Sequence, residues 1–384
     1  MSATIHSDTS LMDRALALAR RGSGFTAPNP LVGAVVARDG EILGSGWHRK
    51  AGEAHAEIEA LRAAGEKAKG ATLYVTLEPC NHFGRTPPCT NAIVESGITK
   101  VFVAMRDPNP KVKGGGIAAL RERGVEVDLG LLGERAIEMN RGWIHWAMTG
   151  RPFVLLKLAA SLDGKVAASS GESKWISSLA ARAHVQRLRR HVHAVLVGSG
   201  TVANDNPRLT NRTGKGPQPL RVIVDSTLRT DINANVYRPL GLGERGRSPI
   251  CLIATTSRAS YQRRRDLELA GVEIVSIEGD DGEVDLAGLV DHLGQLGIHS
   301  VMCEGGARLA AGLLQKGLVN RFMLYQGPVL LGTRGLSWFN GSEIEAMRDA
   351  PRLELMRSRT VGPDNMLLCR VKEPDVGMLL READ

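Results

Sequence analysis

Short apolar runs alternate with helix-period segments along this chain, and one Gly/Pro break near Met148-Thr149-Gly150-Arg151-Pro152 divides the alternation in two. Strands that are near-continuously apolar must be covered on both faces, so the pattern restricts the fold to layered α/β domains. In the first half, residues 31–37, 72–77, 100–105 and 125–129 read as strands, and 54–67, 92–96 and 117–123 as helices. In the second half the strands are 153–158, 194–197, 221–224, 250–254, 272–277 and 299–303. The helices there are 179–190, 286–296 and 307–314, and 211–219 and 231–247 read as loops. The expected organisation is a domain over 8–130, a linker over 131–152, a second domain over 153–372 and a tail over 373–384.

Composition narrows the ligand. Forty-nine Lys and Arg against 41 Asp and Glu leave a charge of +8, which suits an anionic partner. With Trp 5, Tyr 4 and Phe 6, the stacking platforms of a single-strand nucleic-acid binder are scarce. No apolar run approaches the ~20 residues of a membrane helix. The stretch Met1–Ser10 lacks the basic-then-apolar order of a signal peptide, so a cytoplasmic protein is expected. An odd count of five cysteines without such a signal argues against a disulfide framework and directs attention to the one close pair, Cys80 and Cys89.

That pair completes the strongest motif, His55-Ala56-Glu57 followed by Pro79-Cys80 and Cys89. One imidazole and two thiolates are three good Zn²⁺ ligands, and a fourth position left to water is the pattern of a catalytic site. The chemistry also needs a base that is not a ligand, and Glu57 fills that role. The order is that of zinc nucleobase deaminases, whose second cysteine follows after two residues. Here eight intervene, among them His82 and Arg85, which can face a phosphorylated substrate. The alternative is a closed structural site with His82 as fourth ligand.

Other candidates lie in loops. Asn29, between two prolines, is either a turn residue or an amide that orients a heterocycle or ribose. Asp107-Pro108-Asn109-Pro110 follows a strand directly, where α/β folds place ligands, and Lys113 with its glycines can cradle a phosphate. Gly198-Ser199-Gly200-Thr201-Val202-Ala203 matches a dinucleotide fingerprint. The context fails it, because Asn204-Asp205-Asn206-Pro207 follows where a helix should open. Glu304-Gly305-Gly306, between a strand and a small-residue helix, offers backbone N–H groups to a pyrophosphate. Cys303 and Trp175 read as core residues, and the arginines 182, 187, 189 and 190 mostly as a solvated face.

Taken together, these residues resemble one family, the bifunctional riboflavin-biosynthesis deaminase/reductases. The carrying stretches are Pro28-Asn29-Pro30, His55-Ala56-Glu57, Thr76-Leu77-Glu78-Pro79-Cys80, Gly84-Arg85-Thr86-Pro87-Pro88-Cys89, Asp107-Pro108-Asn109-Pro110 and Ala160-Ser161-Leu162-Asp163-Gly164. The long gap between the cysteines is the one this family has. The resemblance implies an α/β fold with a cytidine-deaminase-like three-layer domain, then a dihydrofolate-reductase-like domain. It implies zinc on His55, Cys80 and Cys89, with Glu57 as proton shuttle, and deaminase substrate contacts at Asn29, His82, Arg85, Asp107 and Asn109. It implies NADPH contacts at Ala159, Trp175, Thr201, Asp205, Ser226 and the turn of Gly306, Ala307, Arg308, Leu309, Ala310, Ala311 and Gly312. Ser173, Arg189, Leu209, Arg212 and Glu304 would hold a phosphoribosyl substrate. Phosphoribosylaminopyrimidines are then the expected small-molecule partners, nucleic acid and membrane are not, and a homo-oligomer is expected. Two rivals remain: a nucleic-acid base deaminase with an unrelated C-terminal domain, and a non-catalytic zinc-stabilised binding protein.

Overall fold

The computed structural model describes residues 6–83, 87–109, 115–240, 250–339 and 344–381. The chain forms two compact units, Met1–Gly150 with Pro374–Asp384, and Arg151–Glu373. The first unit runs α1 (Asp8–Ala19), β1 (Gly33–Arg38), β2 (Glu41–Trp47), α2 (Ala56–Ala64), β3 (Thr72–Val75), α3 (Cys89–Glu95), β4 (Lys100–Val103), α4 (Gly116–Glu122), β5 (Glu126–Leu129) and α5 (Gly133–Thr149). Its sheet has the order β2-β1-β3-β4-β5, with β1 antiparallel to both neighbours and β3, β4 and β5 parallel.

Alternation along β1 explains the layering, because successive side chains of a strand point to opposite faces. Ala34 and Val36 pack with Ala60 of α2, Ile93 of α3 and Leu120 of α4. Val35 and Ala37 pack with Leu11 and Leu16 of α1 and Ile137 and Ile144 of α5. The result is a sheet between two helical layers, the three-layer domain expected.

The second unit begins with β6 (Phe153–Ser161), β7 (Lys165–Ala167), α6 (Leu179–Arg189), β8 (Ala194–Gly198), α7 (Ser199–Asp205), β9 (Leu220–Val224), β10 (Cys251–Thr255) and α8 (Tyr261–Leu269). It continues with β11 (Glu273–Ser276), α9 (Leu286–Gln295), β12 (Ser300–Cys303), α10 (Ala307–Gln315), β13 (Arg321–Gly327), β14 (Leu336–Ser337), β15 (Glu354–Val361) and β16 (Asp364–Arg370). The main sheet has the order β11-β10-β9-β8-β12-β6-β13-β16-β15, and β7 pairs with β14 separately. Strands from β11 to β13 are parallel, and β16 runs antiparallel to β13 and β15. The chain moves outward from β8 to β11, then returns to insert β12 between β8 and β6. Such a reversal opens a crevice beyond the strand ends, where ligands bind in this class of sheet.

Several expectations change. Residues 131–152 are mostly helix α5, whose buried Ala136, Ile137, Trp143 and Ile144 belong to the first core rather than to a linker. The tail also folds back. Leu379 is buried in the same core, and its carbonyl accepts the N–H of Arg106. A helix does open after Gly198, although it ends at Asn206 in the left-handed region. The glycine-rich β2 reads poorly as a strand. Yet a Cβ at Gly46 would stand 2.6 Å from the Ala56 carbonyl oxygen, so glycine is what lets α2 lie against it. Helix α8 escapes notice because only Leu267 of it is buried, and β15 because most of its residues are exposed.

The Gly46 contact yields a prediction. Gly46→Val should lower the stability of the first unit by about 1–3 kcal/mol through overpacking against α2, read as a fall in the urea midpoint. An unchanged midpoint would mean that the helix does not depend on that close approach.

Candidate active sites

In the first unit, three chain segments converge. His55 is the N-cap residue of α2, Glu57 lies in its first turn, Cys80 follows β3 and Cys89 opens α3. His55 Nδ1 lies 3.2 Å from Cys89 Sγ and 3.5 Å from Cys80 Sγ, and the three ligand atoms fall within 4.8 Å of one another. Atoms bound at 2.0–2.3 Å around a tetrahedral zinc stand ~3.5 Å apart, so the donor set fits that ion. The Cys80 thiol is held well below the usual range by the hydrogen bond from Cys89, whose own thiol is pushed up in exchange. Glu57 is buried, and that burial raises its carboxyl above the ordinary value. A buried carboxyl beside the metal ligands, held above its ordinary value, is suited to take up and release a proton.

Around this centre the structure gathers most of the expected contacts. Asn29 donates through Nδ2 to His48 Nε2 at 3.0 Å, and His48 Nδ1 donates to the Ala54 carbonyl at 3.1 Å. The His48 ring stands edge-on to His55. The chain of donors turns the Asn29 amide oxygen away from His48, so it is left as an acceptor. The loop after β4 is secured by Glu78, whose buried carboxylate accepts the N–H groups of Asp107 and Ile117, each at 3.1 Å. Burial pushes the Asp107 carboxyl up to about 6, the charge of Glu78 adds to this, and His82 opposes it. Asp107 also accepts the N–H of Asn109. Arg85 and Lys113 lie outside the described residues.

The second unit contains a cleft of about 1120 Å³ at the strand ends around β12. At one end Arg189 is paired with Glu304 through two bonds of 2.6 and 2.9 Å and also donates to the Thr210 carbonyl. Burial alone would raise the Glu304 carboxyl, but Arg189 outweighs it and holds the group below its usual range. Arg212 lines the cleft beside them. Ser173 donates to Asp205 at 2.7 Å, joining two expected contact residues. Trp175 is 71% exposed with the Arg182 guanidinium stacked 3.9 Å from its ring centre, which corrects its reading as core. Arg189 is likewise buried rather than solvated. Gly306 caps α10 without a side chain, leaving first-turn N–H groups toward the cleft, and Gly305 before it takes φ +106, open to glycine alone.

Ala159, Thr201, Ser226, Ala307, Arg308, Leu309, Ala311 and Gly312 also line the cleft. Ala310 and Leu209 do not. Both are buried in the cores on either side of the sheet.

Comparison with known proteins agrees with this division. Residues 152–367 match the RibD C-terminal domain, and residues 5–105 match the zinc-binding region of cytidine and deoxycytidylate deaminases. The riboflavin biosynthesis protein RibD of Bacillus amyloliquefaciens is 44% identical over 94% of this chain and 96% of its own length. The chain belongs to the RibD family. A solved RibD structure from Acinetobacter baumannii superposes with a TM-score of 0.83 at 37% identity, covering 95% of this chain and 99% of that one. A Thermotoga maritima structure described as a diaminohydroxyphosphoribosylaminopyrimidine deaminase/5-amino-6-(5-phosphoribosylamino)uracil reductase gives 0.82 at 35% identity, covering 95% and 98%. The family match over the second half removes the rival with an unrelated C-terminal domain.

The roles of three residues escaped the sequence reading. His48 and Glu78, the latter quoted only within the stretch Thr76–Cys80, act through partners distant in sequence, which neither residue's own position signals. Lys157 did leave a trace, as a charged residue inside the apolar run of β6. It lines the cleft, and burial lowers its pKa.

Two tests follow. Cys80→Ser and Cys89→Ser should each lose most bound zinc, measured by elemental analysis, while Glu57→Gln keeps it, because the carboxylate is not a ligand. Arg189→Ala should destabilise the second unit by about 3–5 kcal/mol near neutral pH by stranding Glu304. A depressed carboxyl contributes stability above its unfolded pKa and loses it as pH falls through the folded value. The gap between wild type and variant should therefore narrow in acid, as urea midpoints at the two pH values will show.

Proposed function

We propose that this chain catalyses two consecutive steps of riboflavin biosynthesis. In the first, 2,5-diamino-6-(5-phosphoribosylamino)pyrimidin-4-one loses its 2-amino group as ammonia. In the second, NADPH reduces the ribosyl group of 5-amino-6-(5-phosphoribosylamino)uracil to ribityl. The convergence of His55, Cys80 and Cys89 beside the buried Glu57 carries the first step. Family membership joins it to the second.

The cofactors are Zn²⁺ and NADPH. Zinc held by His55, Cys80 and Cys89 supplies an electrophilic centre that lowers the pKa of water. Glu57 takes the proton of the attacking water and returns it to the departing amine, so that water and amidine become carbonyl and ammonia. Asn29, aimed by His48, accepts a hydrogen bond from the heterocycle. Asp107 and Asn109, secured by Glu78, bound the ring's other side, and His82 faces the phosphate.

In the second unit NADPH supplies a hydride. The sugar's C1′ gains it as the bond to the ring oxygen breaks, and that oxygen gains a proton. Lys157, which lines the cleft, is suited to give it, because desolvation has lowered its pKa. The Arg189–Glu304 pair and Ser173 orient the sugar, while Arg212 faces the phosphate. Among the described residues no helix is long and apolar enough to cross a membrane. The free cysteines favour a cytoplasmic setting, and Leu355, exposed on the edge strand β15, favours a homo-oligomer.

Glu57→Gln should reduce deamination by at least about 10²-fold and leave reduction of the supplied uracil compound intact, because the two sites belong to separate units. NADPH oxidation measured from each pyrimidine in turn tests this. No oxidation by wild type from either compound would overturn the reductase reading.

A further inference from the structure

Helix α5 buries Ala136, Ile137, Trp143 and Ile144 along one stripe, and Asn140 sits in the middle of it, 3% exposed. A polar side chain on the apolar face of a helix needs partners in the interior, because an unpaired amide there is costly. Asn140 finds both partners in one residue. Its Oδ1 accepts the Leu31 N–H at 2.8 Å, and its Nδ2 donates to the Leu31 carbonyl at 2.9 Å. A backbone N–H can only donate, so the atom facing it is the amide oxygen and the orientation of the side chain is settled.

Leu31 stands just beyond the end of the sheet. Behind it, Gly33 donates to the Thr76 hydroxyl and accepts the Thr76 N–H, each at 3.1 Å, and the Val32 carbonyl accepts the His48 N–H at 2.9 Å. Leu31 precedes β1, and Asn140 gives it the pair of bonds that a neighbouring strand would have given. Two positions earlier is Asn29, and the link between them is stiff. Pro30 has a fixed φ and restricts the backbone of Asn29 before it. Pro30 also has no N–H, so it offers no donor by which the segment could be pinned there. The backbone of Asn29 is tied on its other side to the turn before it, its N–H donating to the Thr26 carbonyl at 2.8 Å. A shift of Leu31 is therefore passed on to Asn29. His48 turns the Asn29 amide, and Asn140 sets where that amide stands.

We propose that Asn140 is a positioning residue for deamination, holding Leu31 so that Asn29 presents its amide oxygen to the substrate ring. This rests on the reading of Asn29 as the acceptor for the heterocycle. The test is steady-state deamination by the full chain, followed as ammonia release, with zinc content and reduction of the uracil compound measured beside it. Asn140→Leu should lower kcat/KM for deamination on the order of tenfold, with zinc retained and reduction unchanged. The loss should fall mainly on KM, because Asn29 binds the ring and moves no proton, whereas a variant that merely unfolds in part loses kcat at constant KM. In an Asn29→Ala background the same substitution should cost less than about twofold more, since the group it positions is gone. Asn140→Ser, whose short hydroxyl cannot span both Leu31 groups, carries the same cycle if Asn140→Leu fails to hold zinc. Unchanged kcat/KM, a loss confined to kcat, or full additivity with Asn29→Ala overturns the inference while the reading of Asn29 stands. Wild-type deamination by Asn29→Ala alone overturns that reading and the inference with it.

Discussion

The parallel strands of both main sheets are covered on both faces, and much else in the molecule follows from that. A strand packed between two helical layers has no room for charged chemistry along most of its length. Ligand-binding groups are therefore driven to strand ends and to the first turns of the helices that follow. Cys80 follows β3, Asp107 follows β4, and His55 and Cys89 stand at helix starts. In the second unit, Ser226, Glu304 and Gly306 stand beyond the ends of β9 and β12 for the same reason.

Loops at strand ends are the least constrained parts of such a fold, so each site needs buried polar clamps. Glu78 is one: it accepts backbone N–H groups from the loop after β4 and from the start of α4. The Arg189–Glu304 pair is another, tying α6 to the end of β12 and, through Thr210, to the loop before β9. An unpaired group at either place would cost several kcal/mol, so these clamps hold only in the folded arrangement. The two sites use charge differently. The first buries a carboxyl beside the metal-ligand side chains, and that burial raises its pKa. The second lines a long cleft with arginines and suits ligands that carry phosphates.

What the sequence determined by itself was local. Apolar runs located most parallel strands of both units to within a few residues, because a strand buried on both faces must be apolar whatever surrounds it. The ligand types His55, Cys80 and Cys89, with Glu57 beside them, named their chemistry before any geometry, since few other roles demand that set in that order. The glycine turn before α10 was legible for a similar reason. What only the tertiary structure decided was pairing at a distance. Glycines in β2 look like strand breakers until α2 is laid against them. Residues 131–152 look like a linker until α5 is seen to bury its face in the first core. Arg189 looks solvated until Glu304, more than a hundred positions away, is brought beside it. His48 shows its part only when Asn29 and Ala54 close on its two nitrogens. A single residue's composition and spacing carry no record of such partners, because the energy that selects them arises only when the chain has folded and water has been excluded.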